Sequence, residues 1–224
     1  MTHALALDTS SDDLTLALMK DGQVAASLQQ PMGRQINARI LDEIHRLLTQ
    51  EGLTPRQLDL IGVSVGPGSF TGTRVGMALA LTFGQVLNKP VIGIDTLRVM
   101  AAQTTPRAEP FLCVLHCSRD EVFMARYQWG PTGYPQRLDD ISMALLEEFP
   151  GRAQSLPLVW RSLTPRWGED VPPQLAGLER LPLTHPRGPR LLALALEDRQ
   201  NTPGPFPPPV PLYIKSEAFR QWKP

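Results

Sequence analysis

The first hundred residues show hydrophobic patterns whose periods predict a series of strands and helices. The apolar run HALALD ends at Asp8 and predicts a strand. DLTLALMK alternates with a period of two and passes through Asp21-Gly22 into QVAASLQQ, which predicts a β-hairpin. Apolar residues then recur at helical spacing over residues 35–50, and Gly52 stands where a helix C-cap is expected.

The next segment joins a buried strand to a second helix through a glycine-rich stretch. LDLIGVSV predicts the strand and runs into GPGSFTGTRVG, residues 66–76. A helix is predicted over residues 71–88, since Pro90 prevents its continuation and the apolar VIGI follows as another strand. Three strands, helix, strand, helix, strand is the order of a mixed α/β lobe with helices covering a sheet, and we place this lobe at residues 1–104.

The pattern becomes weaker after about residue 105. FLCVLHC and EVFMARYQW predict two paired strands, whereas DDISMALLEEF and RLLALALED predict helices. We therefore expect a smaller, degenerate second lobe at residues 105–200. The proline-rich stretch 201–224 predicts an extended surface tail that is docked by Leu212, Tyr213 and Ile214.

Composition narrows the classes of function. The 224 residues are 42% hydrophobic, and 22 basic side chains balance 22 acidic ones, so no net field attracts the chain to nucleic acid or to a membrane. The start has no basic n-region and reaches Asp8 early, which argues against a signal peptide and favours a cytoplasmic protein. Cys113 and Cys117 lie too far apart along a strand to bond, and the four histidines show no metal-ligand spacing.

The glycine-rich stretch is the first candidate for chemistry. Glycine permits close backbone approach, and the N–H groups at a helix start attract anions, so a phosphate or nucleotide is one hypothesis. The lysine and spacing of a P-loop are missing. The end of the first strand carries polar residues that either face a ligand crevice or form an Asx turn, and both readings stay open. The candidate nucleotide- or phosphate-binding residues are Asp8, Thr9, Ser10, Gly66, Gly68, Ser69, Thr71 and Arg74.

The helix at 71–88 carries two stripes of different bulk. Gly72, Gly76, Ala80 and Gly84 recur every four residues. A second stripe is bulky and consists of Val75, Leu79, Phe83 and Val86. We expect the bulky stripe to pack on the chain's own sheet and the small stripe to admit a partner's helix. The alternative is that the small stripe receives the helix at 35–50 of the same lobe.

Four segments give the chain a family resemblance. LALDTSS, VSVGPGSFTGTRVGMALALTFG, KPVIGIDTLRVMA and PLYIK resemble the TsaB (YeaZ) family. HCSRDEVF resembles a strand motif of that family, with His116, Ser118 and Phe123 replacing three of its usual residues. The resemblance implies a two-lobed α/β fold of the actin, sugar-kinase and heat-shock-chaperone type, with ribonuclease-H-like lobes built on mixed sheets flanked by helices.

The resemblance also implies a role and partners. TsaB is the non-catalytic subunit that binds its paralogue TsaD, which transfers threonylcarbamoyl to the tRNA adenosine beside the anticodon; the ATPase TsaE joins them, and tRNA is met through the complex. TsaB alone forms a homodimer, and the helices of its first lobe provide the interface. The corresponding interface residues here are Ile40, Ile44, Leu47, Gly72, Thr73, Gly76, Met77, Ala80 and Gly84.

The resemblance implies no enzymatic activity for the chain alone. The paralogue's His-x-x-x-His metal pair has no counterpart, since Ile36, Asn37 and Ile40 stand in that region. We expect no metal and no required cofactor, with weak ATP or ADP binding left open. The alternative function is a small-molecule kinase or ATPase that uses Asp8 and Asp95; a peptidase is disfavoured because Ser69 has no identifiable base.

Overall fold

The structure is a computed structural model that describes residues 2–118, 120–148, 156–163, 172–175, 177–202 and 204–214. The chain divides into two compact units. Unit 1 comprises Met1–Val99 and Pro186–Leu212, and unit 2 comprises Met100–His185 and Tyr213–Pro224. No helix in the described ranges is long and apolar enough to cross a membrane.

Unit 1 is built on a five-stranded mixed sheet with the order β3-β2-β1-β4-β5. β1, β2 and β3 pair antiparallel, whereas β4 and β5 extend the sheet in parallel from β1. The predicted hairpin is confirmed, and Asp21 and Gly22 both have positive φ, as a two-residue hairpin turn requires. The strands are β1 (Ala4–Asp8), β2 (Asp13–Lys20), β3 (Gln23–Pro31), β4 (Leu60–Ser64) and β5 (Val91–Ile94).

Three α-helices lie within residues 2–102, and a fourth comes from the far end of the chain. The two predicted long helices are confirmed within a residue at each end. Gly52 has a φ of +67° after the first helix, where Leu53 N donates to the carbonyl of Leu48 at 2.8 Å, so the expected C-cap is present. The helices are α1 (Ile36–Gln50), α2 (Phe70–Leu87), α3 (Thr96–Ala102) and α4 (Arg187–Asn201).

Large and small side chains alternate along the central strands of unit 1. In β1, Leu5 and Leu7 belong to the hydrophobic core that α1 and α2 share with the sheet. The residues between the leucines are alanines, and β4 carries Gly62 at the position that pairs with Ala6. A Cβ at Gly62 would lie 2.9 Å from the Cβ of Ala195 in α4. The small face of the sheet therefore receives α4, while the large face builds the core.

Unit 2 is built on a second mixed sheet with the order β10-β6-β7-β8, in which β9 also pairs with β7. The predicted pairing of FLCVLHC with EVFMARYQW is confirmed as an antiparallel ladder between β6 and β7. β10 pairs with β6 in parallel. The strands are β6 (Phe111–Ser118), β7 (Glu121–Trp129), β8 (Pro135–Arg137), β9 (Ser142–Leu145) and β10 (Leu158–Ser162).

Two expectations about the second half of the chain differ from the structure. DDISMALLEEF contains a strand, β9, rather than a helix, because Ser142–Leu145 pairs with β7. The helix predicted in RLLALALED exists as α4, but it belongs to unit 1 rather than to the second lobe. Residues 201–212 also belong to unit 1, and Leu212 N donates to the carbonyl of Val65 at 2.8 Å. No disulfide joins Cys113 to Cys117, in agreement with their spacing along a strand.

Candidate functional site

The glycine-rich loop packs directly on the turn that follows β1. Ser69 N donates to the carbonyl of Ser10 at 2.7 Å, and a Cβ at Gly68 would overlap that same carbonyl. Gly66 has a φ of +93°, and its carbonyl accepts from Thr96 N at 2.8 Å. Glycine is therefore required at position 68 by a close backbone contact and at position 66 by a left-handed backbone conformation. Ser69 N and the carbonyl of Gly66 are therefore engaged in hydrogen bonds within unit 1.

The first turn of α2 is held by two hydroxyl groups. Ser69 caps the helix, since its Oγ accepts from Gly72 N at 3.2 Å. Thr9 Oγ1 donates to the carbonyl of Gly72 at 2.6 Å. A Cβ at Gly72 would overlap the carbonyl oxygen of Thr9. The start of α2 therefore lies in direct contact with the end of β1.

Asp8 is completely buried at the end of β1, and its two oxygens are engaged. One accepts from Ser10 N at 2.7 Å, which is the Asx turn that the sequence left open as one of two readings. The other lies 3.4 Å from Nη1 of Arg187, which also donates to Ser11 Oγ at 2.9 Å. Arg187 itself is 2% exposed. The carboxylate is thus paired within the protein rather than presented to a crevice.

A pocket of about 450 Å³ lies between the starts of α1 and α2 in unit 1. It brings together Ser69, Thr71 and Gly72 from the candidate phosphate set. Ser11, Asp12, Gly33, Ile36 and Asn37 complete the lining.

The other candidates lie outside this pocket's lining. Asp8, Thr9 and Ser10 are buried, as is Gly66, whereas Arg74 is exposed and its guanidinium lies 3.7 Å from the centre of the Phe70 ring. The pocket offers hydroxyl and amide groups, but Asp12 adds a carboxylate that disfavours an anion. Among the described residues, no group of three His, Cys, Asp or Glu side chains could hold a metal ion. Phosphate binding by this set stays a prediction.

The expectation that the small stripe of α2 faces outward is wrong. Gly76, Ala80 and Gly84 are buried against the chain's own sheet: a Cβ at Gly76 would overlap Thr9 Oγ1, and one at Gly84 would overlap a methyl group of Val91. Thr73 and Met77 lie on the same buried side. These three members of the small stripe are therefore covered by the strands of unit 1 and cannot receive a foreign helix, whereas Gly72 is half-buried and lines the pocket.

The bulky stripe of α2 lies beside the small stripe, and two of its members also pack on the core of unit 1, as expected. Leu79 and Phe83 are half-buried and pack at the edge of the core of unit 1, and Val75 is also half-buried. Val86 is 75% exposed and Phe70, at the helix start, is 59% exposed. The apolar surface that α2 presents outward thus comes from its large residues rather than from its glycines.

The interface residues expected on α1 are also buried. Ile40, Ile44 and Leu47 are 2–3% exposed and belong to the core beneath the helix. Leu41 follows Ile40 in the sequence, projects from a different side of the helix and is 54% exposed. Helical periodicity correctly identified an apolar face, but that face packs on the chain's own sheet. The outward apolar residue of α1 is Leu41.

Sequence reasoning missed Arg187. It stands at the start of α4, and 179 positions separate it from its partner Asp8. No local pattern singles out Arg187, because RGPRLLALALED predicts an ordinary apolar helix after a polar start. A buried guanidinium requires an acceptor, and this constraint becomes visible only when α4 is placed on the sheet.

Comparisons with known proteins place this architecture among solved structures. The chain superposes on a Pseudomonas aeruginosa protein described as similar to peptidase YEAZ, with a TM-score of 0.75 and 23% identity, covering 96% of this chain and 100% of that one. YeaZ from Pseudomonas aeruginosa gives a TM-score of 0.70 and 22% identity, with 89% and 93% covered. The class is therefore the YeaZ-like α/β fold with two mixed sheets flanked by helices, which confirms the expected fold class.

Sequence comparison defines the family. The model of the family described as "TsaD: tRNA N6-adenosine threonylcarbamoyltransferase" matches residues 27–152, more than half of the chain. The tRNA threonylcarbamoyladenosine biosynthesis proteins TsaB of Bacillus subtilis and Escherichia coli are 30% and 33% identical over 125 and 131 residues, or 56% and 58% of this chain. The chain belongs to this family, on its TsaB/YeaZ branch. It spans 55% and 56% of the length of these two relatives.

Proposed function

We propose that this chain is a non-catalytic subunit in the biosynthesis of tRNA threonylcarbamoyladenosine and that it acts by binding and stabilising a TsaD paralogue. The proposal is supported by family membership and by relatives that carry the name TsaB. Within the proposal, TsaE joins the pair, tRNA is met only through the complex, and the chain forms a homodimer in the cytoplasm when TsaD is absent. The proposed catalysis resides in TsaD.

The buried pair of Asp8 and Arg187 is the observation that carries the non-catalytic part of the proposal. A carboxylate at the end of the first strand is the group that a kinase or ATPase of this fold class would direct at a metal and phosphates. Here one oxygen accepts from Ser10 N and the other faces Arg187. Rearranging them would leave a buried guanidinium unpaired, which costs several kcal/mol. The kinase or ATPase alternative is therefore not favoured.

The proposed docking face consists of the outward apolar residues of α1 and α2. Asn37 of α1 and Thr71 of α2 line one pocket, so these helices are neighbours at their starts. One turn further along each helix come Leu41 and Val75, followed on α2 by the rest of the bulky stripe. We define the docking face as Leu41, Val75, Leu79, Phe83 and Val86.

The burial of these residues is graded in a way that suits an interface. Leu41 and Val86 are 54% and 75% exposed, whereas Val75, Leu79 and Phe83 are half-buried. A partner that covers the first two would remove large apolar side chains from water, each contributing about 1.5–3 kcal/mol when fully buried. The docking face thus lies on the two helices expected to form the interface, but it consists of their outward residues instead of their inward ones.

The proposal is tested by measuring how tightly the purified chain binds TsaD from the same organism. We expect a stable heterodimer on size-exclusion chromatography with multi-angle light scattering. Leu41→Glu and Val86→Glu should each weaken binding by about tenfold or more, because a buried unpaired charge replaces an apolar contact. Modification of tRNA by TsaD and TsaE together with each variant, with threonylcarbamoyl adenylate supplied as the donor, should fall in parallel.

Val24→Glu is the matched control. Val24 is 47% exposed on β3, away from the docking face, so the same substitution should leave binding unchanged. Circular dichroism of all three variants establishes that they remain folded. The docking face is refuted if both helix variants bind TsaD as tightly as the control does. A wild-type chain that forms no complex with TsaD and does not affect tRNA modification would refute the proposed function itself.

A further inference from the structure

A second pocket lies in unit 2, where a strand ladder opens. β10 is the edge strand of its sheet, and its first residue, Leu158, bridges Arg180. Leu158 N donates to the carbonyl of Glu179, and Leu181 N donates back to the carbonyl of Leu158, both at 2.8 Å. Pro182 comes next and has no N–H, so it cannot extend the ladder as a donor. A pocket of about 550 Å³ lies between the two segments beyond this point.

Within the described part of the chain, two buried donors at this pocket have no acceptor. Trp160 is 5% exposed, and its indole Nε1 makes no hydrogen bond. Arg161 also lines the pocket, and its Nη1 is buried without an acceptor. An unsatisfied buried donor costs about 1–3 kcal/mol, and more when it is charged, so two at one pocket call for an explanation. A ligand that supplies hydrogen-bond acceptors is one such explanation.

The lining favours an anion. Arg161 and Arg180 bring two guanidinium groups to the pocket, and the described lining contains no acidic side chain. Leu181, Pro182 and Leu183 form an apolar wall. Guanidinium groups match the planar oxygens of carboxylates and phosphates, whereas the apolar wall suits a hydrocarbon or ring. The combination selects a small organic anion over a free inorganic one.

The strand beneath the pocket is rigidly supported. Side chains alternate along a strand, so Trp160 and Ser162 share one face of β10 and Arg161 takes the other. Ser162 Oγ forms a 2.9 Å hydrogen bond with Nδ1 of His116, which is completely buried. The His116 ring stacks on the Trp160 ring with centroids 5.8 Å apart. Trp160, Arg161 and Ser162 all line the pocket, so residues from both faces of this edge strand border it.

From this geometry we infer that the pocket between Trp160–Ser162 and Arg180–Leu183 binds a small organic oxyanion, either a phosphate monoester or a carboxylate with an apolar body. The anion's oxygens accept from the Trp160 and Arg161 donors, and its apolar body lies on the wall of Leu181, Pro182 and Leu183. This site lies within unit 2, whereas α1 and α2 belong to unit 1, and it does not depend on the docking proposal.

The test follows the Trp160 indole N–H by NMR in the full chain. Phenyl phosphate and benzoate serve as probes, and the resonance is assigned by its loss in Trp160→Phe. We expect a saturable shift of this resonance with at least one probe. Arg161→Gln and Arg180→Gln should each weaken that binding by about tenfold, since each removes a charge-assisted hydrogen bond. Arg137→Gln removes an arginine of β8 outside the pocket and should bind as the wild type does.

The two probes distinguish the ligand classes. Saturation by phenyl phosphate alone assigns a phosphate monoester, and saturation by benzoate alone assigns a carboxylate. The inference is overturned if neither probe gives a saturable shift, or if the shift persists undiminished in both arginine variants. Arg180 lies outside the named strands, so its variant carries the test if Arg161→Gln fails to fold.

Discussion

Gly72 is the residue whose missing side chain sets how close α2 lies to the sheet. A Cβ there would overlap the carbonyl oxygen of Thr9, a backbone atom that cannot rotate away. Gly72→Ala gains about 1 kcal/mol of helix propensity but overpacks this contact at a cost of about 3 kcal/mol, since the clash is with a backbone atom. We expect a net loss of stability of about 2 kcal/mol in urea unfolding.

The comparison for Gly72→Ala is Gln85→Ala on the exposed side of the same helix. That change touches no packed contact and should alter the free energy of unfolding by less than about 0.5 kcal/mol. Equal stability of Gly72→Ala and the wild type would show that β1 and α2 can separate without cost. It would also reopen the small stripe as a surface.

The pair of Asp8 and Arg187 gives a second prediction at the scale of single residues. Arg187→Met leaves a buried carboxylate without its cation and should destabilise unit 1 by about 3–5 kcal/mol. Asp8→Asn can still accept from Ser10 N, so the double variant Asp8→Asn/Arg187→Met should recover part of the loss. A coupling free energy of about 1–3 kcal/mol is expected from the double-mutant cycle in urea unfolding. Strict additivity of the two changes would contradict the pairing.

At the scale of an element, α1 carries an internal ion cluster that predicts a pH dependence. Arg46 Nε donates to the carboxylate of Glu43 at 2.8 Å and lowers the pKa of Glu43; burial opposes this, and Arg39, at 3.0 Å, lowers the pKa further. A lowered folded-state pKa means that the ion cluster stabilises the folded protein above the ordinary pKa of 4.5. This contribution disappears as the pH falls through the lowered value.

Glu43→Gln measures this contribution. Because both arginines are about half exposed, the free energy of unfolding of the wild type should exceed that of the variant by only about 1 kcal/mol at neutral pH. The difference in unfolding free energy should begin to shrink near pH 4.5 and vanish at lower pH. Asp42→Asn, at an exposed position of the same helix, is the control. A difference that stays constant from neutral to acidic pH would exclude the charge of Glu43 as its source.

Elements with strong local signals could be predicted from the sequence, whereas their orientation could not. The hairpin at Asp21-Gly22 and the bounds of α1 and α2 follow from turn chemistry and helical period. The side of α2 that faces the sheet was predicted wrongly, because its small and bulky stripes are both apolar. The close approach of Thr9 to Gly76 and of Val91 to Gly84 decides between them. The helix predicted in DDISMALLEEF was wrong, because pairing with β7 overrides the helical pattern of this segment.

The same reasoning applies to the candidate site. The hydroxyls of Ser69 and Thr71 could be placed beside a helix start from local sequence, and the structure lines a pocket with both. Arg187, which pairs with Asp8, could not be found, because their contact closes a loop of 179 residues. Sequence periodicity describes a single element, while this ion pair depends on where α4 returns to the sheet.

At the scale of the whole molecule, unit 1 is completed by a segment that follows unit 2 in the chain. Leu191, Leu192, Leu194 and Ala195 of α4 are fully buried. At Gly188 a Cβ would lie 2.8 Å from the carbonyl oxygen of Leu16, so α4 packs at backbone distance. Without α4, the alanine and glycine face of the sheet would meet water and Asp8 would lose its partner. Unit 1 is therefore not expected to fold from residues 1–99 alone.

Truncation separates the role of α4 from that of the tail. A chain that ends at His185 should lose the cooperative unfolding transition of unit 1 and the protection of β1 and β4 amides in hydrogen exchange. A chain that ends at Thr202 keeps α4 and loses contacts such as that of Leu212 with Val65, so it should fold with reduced stability. Adding a peptide of residues 186–202 in trans to the shorter chain should restore protection, since the free energy lost is that of packing α4. Protection of β1 and β4 that survives in the shorter chain without the peptide would show that unit 1 folds independently of α4.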